Sequence, residues 1–351
     1  MSVFPSKVNF VTGDILTATD VNEIGQAINL LDGAQFAAGK NKIINGDFGI
    51  SQRGTTFSSV ASGTYTLDRW MSNYDGTAGT YVISQQAFTP GTAPVAGYES
   101  QYFARYAVTV AGTGGAVRAF DNRMEDVRTF AGQTVTVSFW AKADASRSVG
   151  VILYQNFGSG GSSEVYTSGT SASVTTSWVR YTTTFAVPSI SGKTIGAGNF
   201  LGLRLTIPYG ATATVDIWGV QLEAAQTASN FQTATGTKQG ELAACQRYLP
   251  AITTTAAAEI GSGYNLSTTQ PFVFIPFQVP ARVAPTGITA TAANYAVRNT
   301  TGSTVSLTAI SFNNASVMGG ALLGTVASGL VAGQGTTIQL NGTLLFTGCE
   351  L

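Results

Sequence analysis

Thr134-Val135-Thr136-Val137-Ser138-Phe139-Trp140-Ala141-Lys142-Ala143 alternates along its length. Val135, Val137, Phe139 and Ala141 fall on one side, and Thr136, Ser138, Trp140 and Lys142 on the other. A period of two predicts a strand with one buried face. The pattern recurs in Val179, Tyr181, Thr183, Phe185 and Val187 against Trp178, Arg180, Thr182 and Thr184. It recurs again in Leu201, Leu203, Leu205 and Ile207 against Gly202, Arg204, Thr206 and Pro208. Gly- and Ser-rich turns such as Gly158-Ser159-Gly160-Gly161-Ser162-Ser163 separate such runs. Many strands without intervening helices read as a sandwich or jelly roll.

The region 250–351 is also β-rich. Phe272-Val273-Phe274-Ile275-Pro276-Phe277 is apolar on both strand faces, which suits a strand between two sheets or at a subunit interface. Pro276 argues for an edge or bulge. Asn341-Gly342 between Thr336–Leu340 and Thr343–Thr347 predicts a hairpin. A short helix is expected at about 237–248, with Leu242, Cys245 and Tyr248 on one side.

Near the start, Asp20 and Glu23 have capping-box spacing, so a helix is expected from Thr19 or Asp20 to Asp32-Gly33. Within it Val21, Ile24, Ile28 and Leu31 form an a/d seam. Two readings stay open: a helix docked on its own domain, or a short three-helix bundle that sets the register of a trimer. The expected fold class is mainly β: a jelly-roll β-sandwich and a second, C-terminal β-sandwich domain, with a short N-terminal helix.

Composition narrows the chemistry. Lys and Arg number 18, Asp and Glu 18, so net charge is zero and no basic cluster marks a nucleic-acid partner. No apolar run approaches the ~20 residues of a membrane helix, so no membrane insertion is expected. The start, Met1-Ser2-Val3-Phe4-Pro5-Ser6-Lys7, lacks a signal-peptide core, and synthesis in a cytoplasm is expected. The chain has no histidine, which removes Ser-His-Asp triads and nearly every zinc-hydrolase site. Cys245 and Cys349 are expected as buried reduced thiols. A glycosidase needs two carboxylates about 5–10 Å apart. Asp68, Asp121, Glu125, Asp126, Asp216 and Glu223 are available, but the sequence places no two of them in a cleft; Asp68-Arg69 and Glu125-Asp126-Val127-Arg128 read better as ion pairs, and no enzyme is expected.

Four stretches in order carry a resemblance. They are Asn41-Lys42-Ile43-Ile44-Asn45-Gly46-Asp47-Phe48, Tyr65-Thr66-Leu67-Asp68-Arg69-Trp70, the run from Met124 to Ala143, and Asp216-Ile217-Trp218-Gly219-Val220-Gln221-Leu222-Glu223. Together, over roughly residues 41–233, they resemble the carbohydrate-binding-like jelly roll of phage tail fibres and related virion fibres. Leu16-Thr17-Ala18-Thr19-Asp20-Val21-Asn22 resembles the N-terminal helix of many such fibres. Glu241-Leu242-Ala243-Ala244-Cys245-Gln246-Arg247-Tyr248 resembles the junction after the jelly roll, and Gly348-Cys349-Glu350-Leu351 a terminal strand.

The resemblance implies an attachment segment at 1–40 with a trimerising helix, a jelly roll at 41–235, and a helix plus β tip domain at 236–351. It implies a homotrimer that joins baseplate or tail/neck proteins in a virion and binds host surface polysaccharide. A structural fibre, collar or decoration subunit without sugar binding is the alternative. By strand alternation Trp140 points away from the core, Tyr154 opposes Val151 and Leu153 although Ile152 shares its side, and Arg204 opposes Leu203 and Leu205. The resemblance puts these strands in one concave sheet, with Trp140, Tyr154 and Arg204 as the ligand-binding set; burial against a neighbouring subunit or domain is the other reading. It also implies a structural calcium at Asp47 and Asp216, otherwise no cofactor, although the usual Asp pair on the last strand is absent.

Overall fold

The computed structural model describes residues 17–20, 22, 39–299 and 302–351. Val21, Ile24, Ile28 and Leu31, and with them the proposed trimer seam, lie outside the described residues. The helix start is visible. Thr17 N–H donates to the Asp20 carboxylate at 2.9 Å, and Asp20 N–H donates to Thr17 Oγ1 at 3.2 Å. Thr17 thus acts as an N-cap through reciprocal bonds with Asp20, while Glu23, the other half of the expected capping box, lies outside the described residues.

Alternating strands build the first domain. They are β1 (Thr56–Ser58), β2 (Thr64–Tyr65), β3 (Trp70–Tyr74), β4 (Thr80–Ala87), β5 (Tyr102–Val110), β6 (Arg118–Met124) and β7 (Thr134–Ala143). β8 (Arg147–Asn156), β9 (Val165–Ser168), β10 (Ala172–Val174), β11 (Val179–Ala186), β12 (Phe200–Thr206) and β13 (Ala213–Glu223) follow. One sheet has the order β1-β4-β5-β13-β7-β11; the second has β10-β8-β12-β6-β3-β2, with β9 paired to β8. All the pairings are antiparallel, so the two sheets make a jelly-roll-like sandwich.

The core between the sheets is what the alternation specifies. Val135, Val137, Phe139 and Ala141 from β7 meet Val151 and Leu153 from β8 and Leu201, Leu203 and Leu205 from β12, all fully buried. Burying each such side chain stabilises by about 1.5–3 kcal/mol before entropy is counted. Phe48, Trp70 and Phe120 stack at one end with centroids 4.8–6.0 Å apart.

The first two sequence motifs lock this end. The Asn41 amide donates to the carbonyls of Val220 and Gln232, and its oxygen accepts from Ile43 and Leu222. The Asn45 amide donates to the carbonyls of Ile50 and Asp68, and Trp70 Nε1 donates to Asn45 O at 3.0 Å.

Helix α1 (Lys238–Gln246) follows, with Thr237 as its N-cap. Its Glu241 carboxylate accepts from Asn45 N–H at 2.8 Å and Thr235 N–H at 2.7 Å, tying the junction to the first turn. Cys245 and Cys349 are both buried and unpaired with each other.

The remaining strands are β14 (Ala251–Asn265), β15 (Pro271–Pro276), β16 (Gly287–Thr289), β17 (Tyr295–Arg298), β18 (Thr304–Ser306), β19 (Ala309–Ser316), β20 (Gly319–Thr325) and β21 (Gly335–Thr347). They hydrogen-bond as one sheet, β18-β17-β21-β14-β15-β20-β19, with β16 also on β21. β19 packs near β16, so this sheet curls over its own core of Val273, Ile275, Val297, Leu322, Ile338, Leu340, Leu344 and Phe346.

Two local expectations change. Asn341-Gly342 is not a hairpin turn: β21 runs through it, because β14 pairs with Thr343–Leu345 on one side and with Leu340 on the other. Long-range pairing overrides the turn preference. β15 lies inside the sheet between β14 and β20, with Pro276 as its last residue. Its Val273 and Ile275 are buried, while Phe274 on the other face is 45% exposed.

Candidate functional site

The outer face of the second sheet follows from the same alternation. With Val151, Leu153, Leu203 and Leu205 inward, Tyr154 on β8 and Arg204 on β12 face outward. In register, Tyr154 neighbours Tyr166 on one side and Gly202 on the other, and Arg204 neighbours Ile152 and Asp121.

The Tyr154 and Tyr166 rings stack at 5.3 Å and 13°. Tyr154 lies close over Gly202, where a Cβ would come within 2.3 Å of its ring atoms. Only a residue without a side chain leaves room for that ring. Arg204 is placed over Tyr154 at 5.1 Å and donates to Asp121 through Nε at 3.0 Å and Nη2 at 2.7 Å. Asn73 Nδ2 and the Tyr154 hydroxyl donate to the same carboxylate at 3.1 and 3.2 Å. Asp121 is fully buried, and this set of donors compensates its charge.

Burial opposes the charge on Arg204, yet Asp121 outweighs it and raises the guanidinium pKa above its ordinary value. Burial, then Asp121, pushes the Tyr154 hydroxyl up, so it stays a neutral donor. Tyr166 is 50% exposed and its hydroxyl donates to Glu164 Oε2 at 2.6 Å. The result is a shallow face: an exposed aromatic ring backed by a second ring, beside a fixed cation. Chemically, such a face offers a surface for stacking and a charged hydrogen-bond donor.

Tyr154 and Arg204 are therefore brought together as expected from their strands, but Trp140 is not with them. Trp140 belongs to β7 in the other sheet and is 9% exposed. The segments before β5 and after β13 cover it, in a small core with Phe88, Phe103, Trp218 and Phe231. Its ring lies against Gly219, whose φ of +65° marks the bulge between Trp218 and Gln221 in β13. Alternation correctly turned Trp140 away from the main core; what covers it comes from distant sequence. The sequence pattern gives no sign of Tyr166 or Asn73, and it offers Asp121 only as one of six available carboxylates. β9 is four residues long beside a Gly/Ser-rich turn, and nothing local assigns its partner.

The calcium expectation does not fit the side chains present. Asp216 is committed to Arg105, with bonds of 2.7 and 2.8 Å, and to Lys142 at 3.7 Å. Asp47 accepts from Gly49 N–H at 3.2 Å, and burial raises its pKa. Among the described residues no group of three or more His, Cys, Asp or Glu is placed to hold a metal, whereas calcium takes about 6–8 oxygens. Calcium or a chelator is accordingly expected to leave the melting temperature unchanged; a saturable calcium-dependent rise would contradict this.

The six carboxylates considered for hydrolysis are each ion-paired: Asp68 with Arg53, Asp121 with Arg204, Glu125 with Arg247, Asp126 with Arg128, Asp216 with Arg105, and Glu223 with Lys40. No helix among the described residues is long and apolar enough to cross a membrane.

Residues 72–196 match the family model of a carbohydrate binding domain. Among solved structures, a CBM4 structure is 19% identical with a TM-score of 0.33, covering 52% of this chain and 99% of that one. The enzymatically active domain of tailspike protein 4 from bacteriophage CBA120 is 14% identical with a TM-score of 0.33, covering 53% of this chain and 22% of that one. A family 11 carbohydrate-binding module from Clostridium thermocellum, in complex with a mixed-linked tetrasaccharide, is 11% identical with a TM-score of 0.32, covering 50% and 99%. No curated protein matches the sequence.

Proposed function

We propose that the protein binds glycan on the outer face of β9-β8-β12-β6, as the adhesion subunit of a phage fibre. The observation that carries this is the exposed Tyr166 ring stacked on Tyr154 beside the Asp121-held Arg204. The match at 72–196 to a carbohydrate binding domain model includes Tyr154, Tyr166 and Asp121 and supports the same reading. In the proposed role the segment 1–40 attaches the chain to baseplate or tail/neck proteins, and three chains assemble through Val21, Ile24, Ile28 and Leu31. Trimeric valency then multiplies weak single sites. The protein acts by adhesion, without catalysis or a cofactor.

The test is binding to a panel of bacterial surface polysaccharides, repeated with Tyr166→Ala. The substitution is expected to weaken binding about 10–30-fold, in the range of a hot-spot aromatic. Because Tyr166 is half exposed, the melting temperature should barely move. Full binding by the folded variant would place the receptor site elsewhere. A second reading, a structural fibre, collar or decoration subunit, draws on one observation: Asp121, Arg204 and Tyr154 already satisfy one another. Absence of binding to every polysaccharide favours that reading. Sedimentation equilibrium tests the assembly, and a monomer of 36.3 kDa would exclude the trimer.

A further inference from the structure

We propose that this face serves as a binding groove blind at its β2–β3 end, so that the protein holds the end of a glycan chain rather than a stretch within one. The inference rests on the glycan reading above and adds the class of ligand. Two rows of outward side chains cross the sheet in register. One runs Tyr166, Tyr154, Gly202, Arg123. The other runs Ser168, Ile152, Arg204, Asp121, Met71, Tyr65.

The two ends differ. At the β9 end Tyr166 and Ser168 are exposed, so the groove opens to solvent. At the other end the last residues of the C-terminal domain occupy it. Arg123 Nη1 donates to the main-chain oxygen of Leu351 at 2.6 Å, and the Tyr65 hydroxyl donates to the same oxygen at 2.8 Å. Glu350 is ion-paired with Arg53 at 2.7 Å and with Arg69. Arg282 fixes the segment from its other side, donating to the carbonyls of Cys349 at 2.8 Å and Glu350 at 2.7 Å. Met71 faces outward by alternation and yet is only 1% exposed.

Between the exposed β9 end and the covered end lie β8, β12 and β6, three strand spacings or roughly 14 Å in all. A sugar chain that stacks on Tyr166 and follows the first row meets Leu351 after Arg123. An internal stretch would have to pass through that segment, whereas a chain end stops before it.

The test compares each polysaccharide of the panel intact and after limited acid hydrolysis, at equal mass, with fragments kept longer than the groove. Saturation binding of the full chain is measured, with Tyr166→Ala in parallel. Protein bound per milligram is expected to rise in proportion to the molar number of chain ends, and Tyr166→Ala is expected to remove that binding. Capacity that follows polysaccharide mass, with binding still lost in Tyr166→Ala, overturns the blind end and leaves the glycan site standing. End-proportional binding that survives Tyr166→Ala overturns both, because the site is then elsewhere. Failure of every polysaccharide to bind overturns both as well.

Discussion

Trp140→Ala is expected to destabilise the sandwich by about 3–5 kcal/mol, the cost of removing a large aromatic from a packed site. The ring is held on every side. Trp218 lies 5.2 Å away and Phe231 6.4 Å away, and the Arg180 guanidinium sits over the ring at 4.5 Å. Arg180 in turn donates to Ser138 Oγ at 3.0 Å and to the carbonyl of Ser229. The segment after β13 is anchored there too. Glu223, fully buried, accepts from Ser229 N–H at 2.8 Å and pairs with Lys40 at 2.9 Å. Burial works against the Glu223 carboxylate, but Lys40 and Ser229 hold its pKa below the ordinary value. Deleting the Trp140 ring leaves a cavity and a guanidinium without its aromatic floor. Urea unfolding measures the loss. A variant of full stability that has lost glycan binding would restore Trp140 to the ligand site.

Glu350→Ala is expected to cost a similar amount, about 3–5 kcal/mol, by leaving a buried cation without its partner. Arg69 is 1% exposed, and its guanidinium stacks over the Tyr248 ring at 3.5 Å. It also donates to the carbonyl of Arg123. Burial disfavours its charge, and Glu350 raises the pKa back above the ordinary value, so the cation persists and needs its carboxylate. The same Glu350 also holds Arg53. The loss should appear as separation of the two β-domains: earlier melting and protease cleavage near α1, with each core still folded. Glu350→Gln keeps one acceptor oxygen and should recover part of the loss. Unchanged melting in Glu350→Ala would show that the domains are held by other contacts.

Much of the fold was legible because one physical rule, a buried face on a pleated strand, writes itself into adjacent residues. Val135 to Ala141 and Leu201 to Ile207 show it without help from any partner. The site was legible by halves. Alternation aimed Tyr154 and Arg204 outward, and the register of β8 and β12 then made them neighbours. Trp140 obeyed the same rule but faces a second small core, built from Phe88, Phe103 and Phe231. Those residues lie about forty to ninety positions away along the chain. Asn341-Gly342 shows the same limit. Its turn preference is local and worth little against the ladder that β14 makes on both sides of it.

The sequence by itself determined the β class, the inward residues of cleanly alternating strands such as β7 and β12, and the absence of imidazole chemistry, since these depend only on residue type and spacing. Tertiary structure alone decided which strands share a sheet, which outward aromatics meet solvent, and where Glu350 and Leu351 come to rest. Those outcomes depend on contacts between residues up to 297 positions apart, such as Arg53 and Glu350. A local pattern carries no information about which distant segment will close over it.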